Sequence, residues 1–224
     1  SEHGPLIGPE YGFGMVVGDH FDEPVLLIKT AWGGKDVAED FKAPGSGGPG
    51  PFYSKSVAHT KDVLQNMGTY FPELEGRSYE LAGIVWFQGW NDMVDEQKRQ
   101  AYTENLAQMI RDLRADLGSP NAPVVIGELG VDGHKAKGNI AKFREAQAAV
   151  AQVPDLQGQV VFTRTAPYYD QQAHQLFEDD VWKGPEKDRY YEIASDRPYH
   201  YLGSGKIYFL MGHAFGQDML KLQE

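Results

Sequence analysis

The sequence predicts an α/β protein built on a parallel sheet covered by helices. Three observations carry that prediction: short runs of continuous apolar residues, polar glycine-bearing turns directly after them, and amphipathic helical stretches in between. A run that is apolar at every position suits a strand buried on both faces. Strand then helix, repeated, needs the crossover connections of a parallel sheet. At 224 residues, one large domain around a single core is expected.

The first expected strand is Val25-Leu26-Leu27-Ile28, running out through Thr30, Ala31 and Trp32 to Gly33-Gly34. A loop follows over residues 41–52, where Pro44, Pro49 and Pro51 remove backbone donors and the intervening glycines raise the entropy cost of ordering. A helix is expected over residues 53–67, then a second strand over 81–87 ending in Gln88-Gly89-Trp90-Asn91-Asp92. The clearest helix spans 96–117, with Tyr102, Leu106, Met109, Ile110, Leu113 and Leu117 on one face. A third strand, residues 123–126, ends at Gly127-Glu128-Leu129-Gly130; a helix over 140–150 leads to a fourth strand, 160–163. Residues 168–193 are polar and aromatic with weak periodicity, an irregular excursion with one short helix, and residues 206–220 form the last helix.

Composition narrows the function. Thirty-two acidic residues against twenty-one Lys and Arg leave a formal charge of -11, which repels nucleic acid and anionic membrane surfaces. The chain has no cysteine, which excludes disulfides, thiolate nucleophiles and cysteine-ligated zinc, and does not identify a compartment. No apolar run approaches the roughly 20 residues needed to span a bilayer, and the first residues carry no secretory h-region. A secreted or periplasmic setting is the expectation. The seven histidines form no His-Glu-x-x-His or similar ligand set, and no glycine-rich phosphate loop joins a strand to a helix, so neither a metal nor a nucleotide cofactor is expected.

In a parallel sheet, chemistry collects beyond the carboxyl ends of the strands. Gly33-Gly34 can form a turn or present a backbone N–H to a developing negative oxygen. Asn91 can cap the next helix or offer its amide to the same oxygen. Glu128 follows the third strand and Asp132 lies in the next loop; a carboxylate at a strand end can act as a base, bind a hydroxyl or partner His134, or else cap a helix or support a neighbouring side chain. The sharpest cluster is residues 195–205, where Asp196 can set the tautomer of His200, with Pro198 stiffening the backbone between them. The alternative is a turn-capping aspartate and a histidine satisfied in the core.

Taken in order, residues 8–14, Val25 through Gly34, Trp86 through Asp92, Gly127-Glu128-Leu129-Gly130 and residues 195–205 resemble the carbohydrate-esterase branch of the SGNH hydrolases, the sialate O-acetylesterase-like or acetylxylan-esterase-like group. The resemblance implies a three-layer α/β/α fold with a parallel, flavodoxin-like sheet. It implies an acetylated carbohydrate or other small O-acyl ester as substrate, with no cofactor. It assigns oxyanion donation to the N–H of Gly34, or else Gly33, and to the Asn91 amide, the base to His200, and the orienting acid to Asp196.

Two departures stand out. The family acid lies three residues before the histidine, where this chain has Arg197, so Asp196 is one residue displaced and Glu128 is a spare carboxylate. The nucleophile block, a first strand followed by Gly-x-Ser, is absent; the serine is expected upstream of, or near, Ser1, and the sheet to lack its first strand. The competing functions are a non-catalytic carbohydrate-binding or assembly domain, and a glycoside hydrolase using Glu128 with another carboxylate.

Overall fold

The computed structural model describes residues 7–224. In chain order these form α1 (Pro9–His20), α2 (Pro51–Gln65), α3 (Met67–Tyr70), β1 (Ile84–Trp86), α4 (Trp90–Val94), α5 (Glu96–Asp116), β2 (Val124–Gly127), α6 (Gly138–Val150), β3 (Val160–Thr163), α7 (Gln171–Glu178), α8 (Lys187–Tyr191) and α9 (Gly205–Lys221). The protein is mostly helical around a small parallel sheet in the order β1-β2-β3, with Ile84, Val124 and Val160 in register. Helices flank this sheet, as an α/β/α layering requires: α6 packs on β3, and α9 packs on β2 and β3.

β2 is central, and its Val124, Val125 and Ile126 are fully buried, which is why that run is apolar at every position. α5 starts where the Asp95 carboxylate accepts the N–H of Lys98 at 3.0 Å. Its Tyr102, Leu106, Met109, Ile110 and Leu113 turn inward, each worth about 1.5–3 kcal/mol if fully buried. α9 starts under the hydroxyl of Ser204 and lays Ile207, Met211, Phe215 and Met219 into the same core.

Three expectations need correction. Residues 25–28 are not in the sheet. They have no regular secondary structure, with Val25 and Leu27 exposed, and lie beside α1, to which Lys29 is tied by an ion pair with Glu10 at 2.7 Å. An apolar run records that a segment is fit for a strand, whereas a ladder needs a neighbouring edge, and among the described residues none reaches this segment. The β1 strand pairs only over Ile84–Trp86, as an edge, rather than over 81–87. The excursion over 168–193 is more helical than expected, holding α7, α8 and a 3₁₀ turn at Val181–Lys183.

α1 has no counterpart among the expected elements. Its Gly12, Gly14 and Gly18 each weaken a helix by about 1 kcal/mol. It persists because it lies close against α9: a Cβ on Gly12 would overlap the carbonyl oxygen of Phe209, and one on Gly212 that of Pro9. Gly12, one of the glycines that obscure the helix in the sequence, is the one that lets the two backbones meet.

Candidate active site

The turn after residues 25–32 and the turn after β1 meet. Gly34 has φ +68°, a left-handed conformation that favours glycine, and the Cβ position it leaves empty is 3.9 Å from Asn91 Nδ2. Asn91 sits in the first turn of α4, which Gly89 opens. The Gln88 carbonyl fixes that turn, accepting from Tyr102 Oη at 3.1 Å and Gln147 Nε2 at 3.3 Å. Tyr102 in turn accepts from Trp86 Nε1 at 3.2 Å.

Behind Asn91, the buried carboxylate of Asp92 accepts the N–H of Val37 at 3.1 Å on each oxygen, and Gln88 Nε2 donates to Asp92 Oδ2 at 2.7 Å. Desolvation by burial pushes the Asp92 pKa up to about 6, and the negative charge of Asp36 pushes the same way; the Gln88 amide and the Val37 N–H offset only part of this. For Asp36 itself, burial is outweighed by Lys98, which donates at 2.9 Å, and by the N–H groups of Glu39 and Asp40, so its pKa is lowered. Lys98 is raised to about 12, chiefly by that bond to Asp36.

A carboxyl whose folded pKa lies above its unfolded value binds more protons folded than unfolded, so its contribution to stability is present below the unfolded pKa and lost as pH rises through the folded one. The groups facing Asp92 are Asp36, Gln88 and Tyr102, with Lys98 and Lys35 beyond. The stability of the native protein relative to Asp92→Asn is expected to fall by on the order of 3 kcal/mol from about pH 4 to above pH 6, read from urea midpoints across that range. A flat difference contradicts this description of Asp92.

His200 lies in the loop between α8 and α9. Its Nδ1 is 2.9 Å from Asp196 Oδ2, so the one-residue displacement does not separate the pair. The loop is tightly folded: Tyr201 and Leu202 have φ +51° and +60°, and the Leu202 carbonyl accepts both Ser195 N at 2.7 Å and Asp196 N at 3.0 Å. Tyr190 Oη donates to the Asp196 carbonyl, and the Arg197 guanidinium stacks 3.9 Å over the Trp182 ring. Both His200 and Asp196 remain exposed. The Tyr199 ring touches His200 on one side, with centroids 4.6 Å apart, and Trp90 on the other, at 5.8 Å. That contact joins the histidine loop to the residue preceding Asn91.

The chain matches the carbohydrate esterase, sialic acid-specific acetylesterase family over residues 2–184. It belongs to that family. The matched stretch includes Gly34 and Asn91 and ends before Asp196. The chain is also similar to a probable carbohydrate esterase of Arabidopsis thaliana, At4g34215, with 34% identity over 144 residues, covering 63% of this chain and 47% of the relative. It thus spans about half the length of that curated relative. The crystal structure of the Arabidopsis thaliana protein AT4G34215 superposes with a TM-score of 0.65 at 20% identity, covering 96% of this chain and 68% of the other, which supports a common fold.

Within this member of the carbohydrate esterase family, the other candidate residues go elsewhere. Glu128 is buried, and its Oε2 accepts the N–H groups of Thr165 and Ala166 at 2.8 Å each, holding the turn after β3. Asp132 lies 3.8 Å from Nδ1 of His174 rather than beside His134. Of the loop aromatics that could face a sugar, Trp32 packs on Phe41 and Phe52, and Trp182 on Phe177. Ser1 lies outside the described residues, and among those described no serine hydroxyl is hydrogen-bonded to His200.

Two supporting side chains escaped the sequence reading. Gln147 of α6 donates to the Gly127 carbonyl at 3.1 Å and accepts Leu129 N at 2.8 Å, while Arg144 donates to the carbonyls of Leu129, Val131 and Gly133. Together they shape the turn after β2. The available signal was a polar residue inside an apolar stripe, between Phe143 and Val150.

Proposed function

We propose that this chain carries the oxyanion site and the general base of a serine carbohydrate O-acetylesterase with an SGNH-type, flavodoxin-like sheet. The observation carrying this reading is that Gly34 and Asn91 are neighbours while Trp90 and Tyr199 join them to the Asp196–His200 pair. In this reading a serine, expected upstream of or near Ser1, attacks the acetyl carbonyl, and His200 Nε2 takes its proton. Asp196, on Nδ1, fixes the tautomer and stabilises the imidazolium. The tetrahedral oxygen accepts from the Gly34 N–H and the Asn91 amide, which carry no charge to be neutralised and need no protonation change. Collapse expels the sugar hydroxyl, which takes the proton from His200. Water, activated by the same imidazole, then hydrolyses the acyl-enzyme to acetate. Among the described residues the outer edge of β1 has no ladder partner, which is compatible with the family's first strand pairing there. Trp90 and Tyr199 offer a sugar an apolar face beside the base.

Acetate release from an acetylated sugar by the intact protein tests the assignment. Asn91→Ala is expected to lower kcat by about 10²–10³-fold with little change in KM. Unaltered turnover in that variant, or glycan binding with no ester loss by the intact protein, contradicts it.

A further inference from the structure

Gly34 and Asn91 lie on separate turns, so their spacing must be held by something else. We infer that Asp92 is a positioning residue that, with Gln88, clamps the Gly34 turn onto the first turn of α4 and sets the distance between the two oxyanion donors. This rests on the esterase reading of that pair.

The clamp is built from four contacts on either side of the donors. Asp92, next to Asn91 in sequence, holds the N–H of Val37 with both carboxylate oxygens at 3.1 Å. Gln88, three residues before Asn91, donates through Nε2 to the Lys35 carbonyl at 2.9 Å and to Asp92 Oδ2 at 2.7 Å. Lys35 and Val37 thus tie down the segment leaving Gly34, and Gln88 and Asp92 flank Asn91. Asp92 is fully buried, so its carboxylate does not reach a substrate; it acts through its neighbours. A buried carboxylate loses its hydration, and two donors, the Val37 N–H shared between both oxygens and Gln88 Nε2, recover part of that loss. No sheet ladder holds residues 33–37; beside the Lys98–Asp36 ion pair and the burial of Val37 in the core, the clamp is the connection that reaches the residues flanking Asn91. A displacement of about 1 Å at a reacting centre can cost about 10²-fold in rate, so the function of such a clamp falls on kcat.

Asp92→Asn is the informative change because it keeps the shape. With its oxygen in the Oδ2 position the Asn accepts from both Val37 and Gln88, but its Nδ2 then stands 3.1 Å from Val37 N, donor against donor; with the oxygen in the Oδ1 position Nδ2 faces Gln88 Nε2 instead, so either orientation loosens one arm of the clamp. The experiment uses the intact protein and two readouts. Amide hydrogen exchange at Val37 is expected to speed up by at least about tenfold in Asp92→Asn, with β2 amides unchanged. With an acetylated sugar as substrate, kcat is expected to fall about 10–100-fold with KM within about twofold, and Asn91→Ala/Asp92→Asn to be no slower than Asn91→Ala alone. Gln88→Met, which cuts the Lys35 contact without touching a charge, is expected to move both readouts the same way and serves if Asp92→Asn fails to fold. Unchanged Val37 exchange in both variants overturns the clamp. Additive kcat losses, or an unchanged kcat in Asp92→Asn where Asn91→Ala is slow, overturn its role in positioning. An unchanged kcat in Asn91→Ala alone overturns the esterase reading instead, and Val37 exchange still decides the clamp.

Discussion

His200→Ala is expected to lower kcat for acetyl-ester hydrolysis by about 10²–10⁴-fold while leaving KM nearly unchanged. The expectation follows from the ring's surroundings. Nδ1 is occupied by Asp196 at 2.9 Å, leaving Nε2 to exchange the proton, and the ring remains half open to solvent where a substrate can arrive. The Tyr199 ring packs against it from one side and the Tyr208 hydroxyl donates to its carbonyl at 3.1 Å, so the loop presents the imidazole in one orientation. Removing the ring deletes proton transfer and little else, because it contributes to no buried core. Initial rates over a range of substrate concentration separate the two parameters. A kcat within about twofold of the native value excludes His200 as the base.

The largest effect on stability is expected at Gly212. Substitution by alanine puts a Cβ onto the Pro9 carbonyl oxygen and 2.9 Å from Phe13 N, both backbone atoms of α1. Neither can rotate away as a side chain can, so α1 must lift from α9. Overpacking of this kind costs about 1–3 kcal/mol, and more where backbone is displaced. At about 3 kcal/mol, Tm falls by roughly 6–12 °C. Gly18→Ala is the matched control: nothing lies within 4 Å of its Cβ position, and alanine there favours the helix. Calorimetry of both variants checks the pair, and equal melting temperatures contradict the close seating of α1 on α9.

Much of the scaffold was legible from local pattern. α5 spans Glu96–Asp116 against an expected 96–117, β2 and β3 fall on the runs near 124–126 and 160–163, and the expected helices over 140–150 and 206–220 appear as α6 and α9. These elements bury one stripe, or in β2 both faces, so side-chain pattern alone encodes them. α1 was illegible because it carries three glycines, and the one that explains its place, Gly12, serves a contact with Phe209 of α9, more than 190 residues away in sequence. Residues 25–28 misled for the opposite reason, since they have the composition of a strand with no ladder among the described residues to join.

The same division holds at the site. By itself the sequence determined which residues could do the chemistry: a glycine pair, an asparagine in a helix-opening turn, and an Asp–Pro–His segment, each set by the intrinsic properties of the side chain or backbone it offers. Only the tertiary structure decided which of them meet. It put Gly34 beside Asn91, carried Tyr199 to Trp90, closed the displaced Asp196 onto His200, and sent Glu128 to the backbone of the turn after β3. Proximity across more than 50 residues depends on how turns dock on a packed core, and docking is governed by buried polar bonds such as those of Asp92 and Gln147, whose partners no local pattern names.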